Sequence, residues 1–133
     1  MTEPAARFRA AVLARDPEAM AAVLADDVVF RSPAVHQAYD GRVATMVVLR
    51  SVLRVLEDFR YERSFASADG TGHVLEFVAR VGDREVQGVD VLTIEDDRVT
   101  ELTVLIRPLS GLHAVVDRMG AVIPEVMAEL GLT

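Results

Sequence analysis

The chain has 133 residues, 51% of them hydrophobic and 26% charged, with 14 Lys or Arg against 21 Asp or Glu and a formal net charge of −7. That length and balance fit one globular domain and exclude a disordered chain. The acidic excess, the scatter of the Arg residues and the lack of any Lys exclude the basic footprint of a nucleic-acid binder. Absence of Cys excludes disulfides and thiolate metal sites and suits a reducing cytoplasm.

The first residues, Met1 to Arg7, lack a basic stretch followed by an apolar one, so no secretory signal is expected. The apolar stretch Thr45 to Leu49 is too short to cross a bilayer. A soluble, cytoplasmic protein without membrane or nucleic-acid partners is expected.

Thr2 as N-cap and Pro4 in the first turn predict a helix ending near Ala14, with Phe8, Val12 and Leu13 at helical spacing. Asp16-Pro17-Glu18 opens a second helix, buried through Met20, Val23 and Leu24 and stopped at Asp26-Asp27. Val28 to Phe30 reads as a short strand, ended by Ser32-Pro33, and Ala34 to Tyr39 as a loop. A third helix starts at Asp40 or Gly41 and runs to about Asp58, with Met46, Leu49, Leu53 and Leu56 on one face. The following segments, Phe59 to Ala68, His73 to Val81, Glu85 to Glu95 and Arg98 to Arg107, are joined by short polar turns and predict an antiparallel meander. From Leu109 the helical period returns, and Pro124 predicts a kink or two short helices. The expected architecture is α+β: a curved antiparallel sheet wrapped around N-terminal helices, in one domain over 1–133 with a C-terminal helical extension over 108–130.

Asp90 stands out within Val86-Gln87-Gly88-Val89-Asp90-Val91-Leu92-Thr93-Ile94. Strand alternation puts it on a face with Val86, Gly88, Leu92 and Ile94, where its charged form would be desolvated and its proton affinity raised. Such a carboxylate suits acid-base chemistry on an apolar ligand; the other reading is a structural carboxylate paired with an Arg or a turn amide. In the neighbouring strand Leu75, Phe77 and Ala79 share one face, and Val74, Glu76, Val78 and Arg80 the other. Both sheet faces are therefore partly apolar, and a second copy covering the outer one predicts a homodimer.

The order of these elements resembles the nuclear transport factor 2-like superfamily, on Leu24 to Pro33, Asp40-Gly41-Arg42 and Gly88-Val89-Asp90-Val91. More closely it resembles the SnoaL-like branch, with polyketide cyclases and ketosteroid isomerases as relatives, over residues 5 to 107. The resemblance implies a cone enclosing an apolar pocket, often in a dimer, with no metal or organic cofactor. Steroid isomerases use a tyrosine on the first helix, a protonated Asp on a strand and a second, proton-shuttling Asp. By resemblance these positions fall on Phe8, Asp90 and Ser32, so only the strand Asp is kept and the standard steroid mechanism is not expected. Asp90 is similar to the single acid-base Asp of the cyclases. Limonene epoxide hydrolases, a further relative, need a second carboxylate and an Arg, for which Glu76 and Asp40 are the carboxylates available.

His36 and Tyr39 lie in the loop that such a cone would place at the pocket mouth. His36 is either a proton exchanger near neutral pH or a surface residue. Tyr39 either donates to a ligand oxygen or packs on the third helix. Arg31 and Arg107 read as ion-pairing or solvated, with Arg107 also able to pair with Asp90 or an anionic ligand. His73 and His113 lack metal-ligand spacing, and Ser32 lacks a relay for a nucleophile. The candidate set is thus Asp90, His36 and Tyr39 for proton transfer, with Phe8, Ser32, Leu49, Phe77, Leu92, Val104 and Ile106 against the ligand, and no metal. The expected function is a cofactor-independent cyclase or isomerase acting on an apolar carbonyl compound, with a non-catalytic binding module for an apolar ligand and an epoxide hydrolase as alternatives.

Overall fold

In the computed structural model, which describes residues 1–132, four helices pack on one six-stranded sheet. Helices α1 (Glu3–Leu13) and α2 (Pro17–Val23) lead into β1 (Leu24–Arg31), the two-residue β2 (Tyr39–Asp40) and α3 (Arg42–Val55). Strands β3 (Glu57–Ala66), β4 (Gly72–Val81), β5 (Arg84–Glu95) and β6 (Arg98–Arg107) follow, and α4 (Leu109–Glu129) closes the chain. The sheet order is β2-β1-β6-β5-β4-β3. The β3 to β6 meander is antiparallel throughout, as its short turns predict, whereas β1 lies parallel to β6. Only a long crossover can make such a parallel pair. The sheet is curved and unclosed, and with the N-terminal helices it forms the expected α+β cone.

Several boundaries differ from the sequence reading, among them the end of α3, at Val55 rather than about Asp58, with β3 starting at Glu57. Strand β1 starts at Leu24 rather than Val28, and its pairing with β6 slips between Leu24 and Val29. That irregularity leaves Asp26 and Asp27 exposed while Leu24 and Val28 stay buried. Tyr39 and Asp40 form an edge strand against β1 instead of a loop. Helix α4 runs without a break through Pro124, where two short helices were one expectation. Pro124 removes one bond to the Gly120 carbonyl, yet Val115 and Val126, buried on either side, keep both halves docked.

Thr2 precedes α1, but its hydroxyl makes no cap; it lies 2.9 Å from the Nε2 atom of buried His73. Asp16 does cap α2, accepting from the Ala19 amide at 3.2 Å. Among the described residues no helix is long and apolar enough to cross a membrane.

Burial alternates on β4 and β5, with His73, Leu75, Phe77, Ala79 and Val81 inward on β4 and Val86, Gly88, Asp90, Leu92 and Ile94 inward on β5. The interior packs as two clusters. One joins α1, α2, β1 and the first half of α3 to Leu75 and Leu92; the other joins Val55 and Leu56 to Phe77, Val86 and Val115. Val52, Phe59, Tyr61, Val104 and Met119 are only partly buried and touch both. Packing is therefore incomplete between the clusters, and that is where the candidate site lies.

Candidate functional site

A cavity of about 290 Å³ opens between the clusters. Its inner wall includes Phe59 from β3, Phe77 from β4, Asp90 from β5 and Val104 and Ile106 from β6, faced by Val48, Leu49, Val52 and Leu53 from α3. Phe8 and Val12 come from α1, and Met119 and Ile123 from α4. The exposed lining residues, Arg15, Ala34, Val35, Val116 and Gly120, form the mouth. Asp90 is the one carboxylate in the lining among the described residues.

The ladder registers explain how Asp90 is held. Tyr61 stands opposite Phe77, Phe77 opposite Gly88, and Leu75 opposite Asp90, so all share the inner face. Tyr61 and Asp90 belong to strands on either side of β4, about 10 Å apart at the backbone, and a tyrosine laid across β4 spans that gap. Its hydroxyl donates to Asp90 Oδ2 at 2.7 Å. Phe59 sets the ring's place, edge-on to Tyr61 at 4.9 Å and stacked on Phe77 at 5.1 Å. The Arg9 guanidinium lies over the Tyr61 ring at 5.6 Å.

Tyr61 is not itself in the cavity lining, whereas Asp90 is. The phenol therefore occupies Oδ2 from behind, and Oδ1 has no donor among the described residues. Burial raises the Asp90 pKa from 3.8 to about 6, with the Tyr61 hydrogen bond opposing the rise by stabilising the anion. Tyr61 is itself pushed well above 10, first by burial and then by the negative charge it bonds. It therefore stays a donor at every pH where Asp90 titrates. The result is a carboxyl group poised to change ionisation near neutrality, with one oxygen turned to an apolar space.

Of the other residues singled out in the sequence, Phe8, Ser32, Tyr39, Leu49, Phe77, Val104 and Ile106 all line the cavity. The Tyr39 ring tilts on Phe30 at 6.0 Å. The Ser32 hydroxyl accepts the amides of Ala34 and Val35, each at 3.3 Å, which folds the loop over the mouth. Two positions are corrected. His36 lies past that turn, exposed and outside the lining. Leu92 shares Asp90's face but is fully buried in the first cluster, where α1 fills the space above it.

Arg107 bonds Gln87 Oε1 at 3.1 Å on the outer face and does not reach Asp90, because its register partner Gln87 points outward on β5. Arg31 pairs with Glu101 at 3.1 Å. Glu76 is bound by Arg63 at 2.9 and 2.7 Å on the outer face, and Asp40 is exposed, so neither supplies a second carboxylate beside Asp90. The Asp-Arg-Asp arrangement of an epoxide hydrolase is thus not assembled among the described residues.

Tyr61, together with Phe59 and Arg15 of the lining, is a site residue that sequence reasoning missed. The alternation of Phe59 and Tyr61 is a signal for inward aromatic residues. However, β3 slips register twice against β4, between Glu57 and Arg60 and between Tyr61 and Ser64. Those irregularities hide which β3 side chain comes level with Asp90.

A six-stranded open sheet curled over helices, with an apolar cavity ending on a buried carboxylate, defines the cone-shaped class of nuclear transport factor 2-like proteins. Residues 5–102 match the SnoaL-like domain, and the chain belongs to that family within the superfamily. A steroid delta-isomerase from Pseudomonas aeruginosa superposes with a TM-score of 0.89 at 41% identity, over 94% of this chain and 92% of that one. An uncharacterised protein with a cystatin-like fold from Silicibacter pomeroyi DSS-3 gives 0.86 at 32%, over 91% and 85%. A nuclear transport factor 2-like protein of unknown function from Mesorhizobium loti gives 0.70 at 20%, over 80% and 89%, a likeness of fold alone. Comparison with curated proteins gives no match. Family and fold support a ligand-binding or isomerase-type function in general.

Proposed function

We propose that the protein is a cofactor-independent acid-base enzyme of the isomerase or cyclase type. It moves a proton at an enolisable carbon of an apolar carbonyl compound, with Asp90 as the proton-transfer residue. One observation carries the reading: Asp90 presents a free oxygen to an apolar cavity while its other oxygen is fixed by Tyr61. A buried base strips a carbon acid best when its pKa lies near the working pH and its approach is fixed. The likeness to a steroid delta-isomerase supports the isomerase type. Phe8 and Ser32, at the positions of the isomerases' tyrosine and shuttling Asp, argue for a different substrate or a one-carboxylate route. Tyr39, which lines the cavity, is the auxiliary donor in this reading; His36, exposed and outside the lining, is not.

Solvent deuterium exchange at the α-carbon of apolar cyclic ketones, followed by proton NMR, tests the first half-reaction without knowledge of the product. Asp90→Asn should slow enzyme-dependent exchange by about a hundredfold or more while ketone binding persists. Exchange within a few-fold of the parent protein would remove Asp90 from the chemistry.

The thinness of this set favours a second reading, in which the cavity binds an apolar molecule and Asp90 only orients it. In that case the ketones bind, but neither protein accelerates exchange. In either reading we infer a homodimer through the outer sheet face, where Val78, Val89 and Val91 are only half-buried and Leu105 is 57% exposed.

A further inference from the structure

The cavity lining includes two charged residues among the described residues, Asp90 at its inner wall and Arg15 at its mouth. Arg15 follows the end of α1 with φ of 54°, in the left-handed region where glycine is the usual occupant. Its amide bonds the Val12 carbonyl, and the Asp16 amide bonds the Ala11 carbonyl, each at 3.0 Å, as helix termini do. A glycine would hold this turn without the steric cost of a side chain in that conformation. The negative end of a helix accounts for a cation in this turn. It does not account for the cation's place in a cavity wall that is otherwise apolar at its mouth.

Arg15 is also free. Eight of the fourteen arginines are in ion pairs; among the described residues Arg15 is one of the six in none, and of those six it alone lines the cavity. The adjacent Asp16 carboxylate is engaged in capping α2. The remaining exposed lining residues, Ala34, Val35, Val116 and Gly120, carry no charge.

We propose that the cavity selects an apolar molecule bearing a carboxylate, which pairs with the Arg15 guanidinium while the hydrocarbon body lies along Phe59, Phe77 and Val104 and the opposite end meets Asp90. The inference rests on the reading of the cavity as a ligand site and gives that ligand its class and direction. Electrostatics fix the direction, since an anion held at Arg15 is kept away from Asp90, whereas the reverse orientation would set two carboxylates together in a low-dielectric space. A planar guanidinium also matches a carboxylate with two parallel hydrogen bonds.

Titration calorimetry on the whole protein with cyclohexanepropanoate and naphthylacetate, each against its primary amide, separates the charge from the hydrocarbon. The acids should bind about tenfold more tightly than the amides. Arg15→Gln should erase that preference, and Arg15→Lys should restore most of it. Equal binding of acid and amide, or a preference that survives Arg15→Gln, overturns the proposal while the cavity remains a ligand site. If neither acids nor amides bind, both the proposal and the reading beneath it fail.

Discussion

Asp90 ionises inside the protein at a cost that the rest of the fold has to absorb. Its pKa is 3.8 when unfolded and about 6 when folded, so between those values the folded state holds a proton that the unfolded state has released. Stability from this group is fully present below about pH 4 and is lost as pH rises through about 6, by about 3 kcal/mol at most. Asp90→Asn, which keeps an oxygen for Tyr61 and has no charge to bury, should therefore melt higher than the parent at about pH 8 and show little gain at about pH 4. A gain of equal size at both pH values would mean that the carboxylate is not desolvated. Tyr61 acts through Asp90 rather than on a ligand. Tyr61→Phe removes the bond that stabilises the anion, so the acidic limb of the pH-rate profile should move up from about pH 6, by about one unit. KM should change little, and a limb that stays in place would deny Tyr61 its positioning role.

Between the elements, the close fit of β5 to its neighbours depends on Gly88. A Cβ there would run into the Leu105 carbonyl oxygen on β6 and the Phe77 ring on β4. Phe77 is 2% exposed and carries the stack with Phe59 that fixes Tyr61. Gly88→Ala should thus cost about 1–3 kcal/mol by overpacking, and it should disturb Asp90 by displacing the aromatic residues that hold its partner. Chemical denaturation measures the first effect and the pH-rate profile the second; a variant as stable as the parent would mean that the sheet can open around the new methyl. At the same scale, alternation made the inward faces of β4 and β5 legible, because each strand runs regularly between short turns. The β3 register was not legible, since its two slips depend on contacts with β4.

At the scale of the molecule, the cavity is what remains when two clusters meet without filling the space between them, and the sheet's outer face is what remains when the helices have covered the inner one. Leu105 stands exposed on that outer face, with Val89 as its register partner. The proposed homodimer predicts that Leu105→Arg shifts the protein from dimer to monomer in sedimentation velocity. A parent that sediments as a monomer at every concentration would place no second copy on this face.

Local order is what the sequence by itself determined: α1 from its Pro and apolar spacing, the meander from its short turns, and Asp90's inward direction from a period of two. These are short-range properties, set by backbone geometry and the solvation of neighbouring residues. Tertiary structure alone decided the parallel pairing of β1 with β6, the reach of Tyr61 across β4, the outward turn of Arg107 and His36, and the presence of Arg15 at the mouth. Each of those depends on residues far apart in the chain meeting at a register or an edge, and no local period encodes such a meeting.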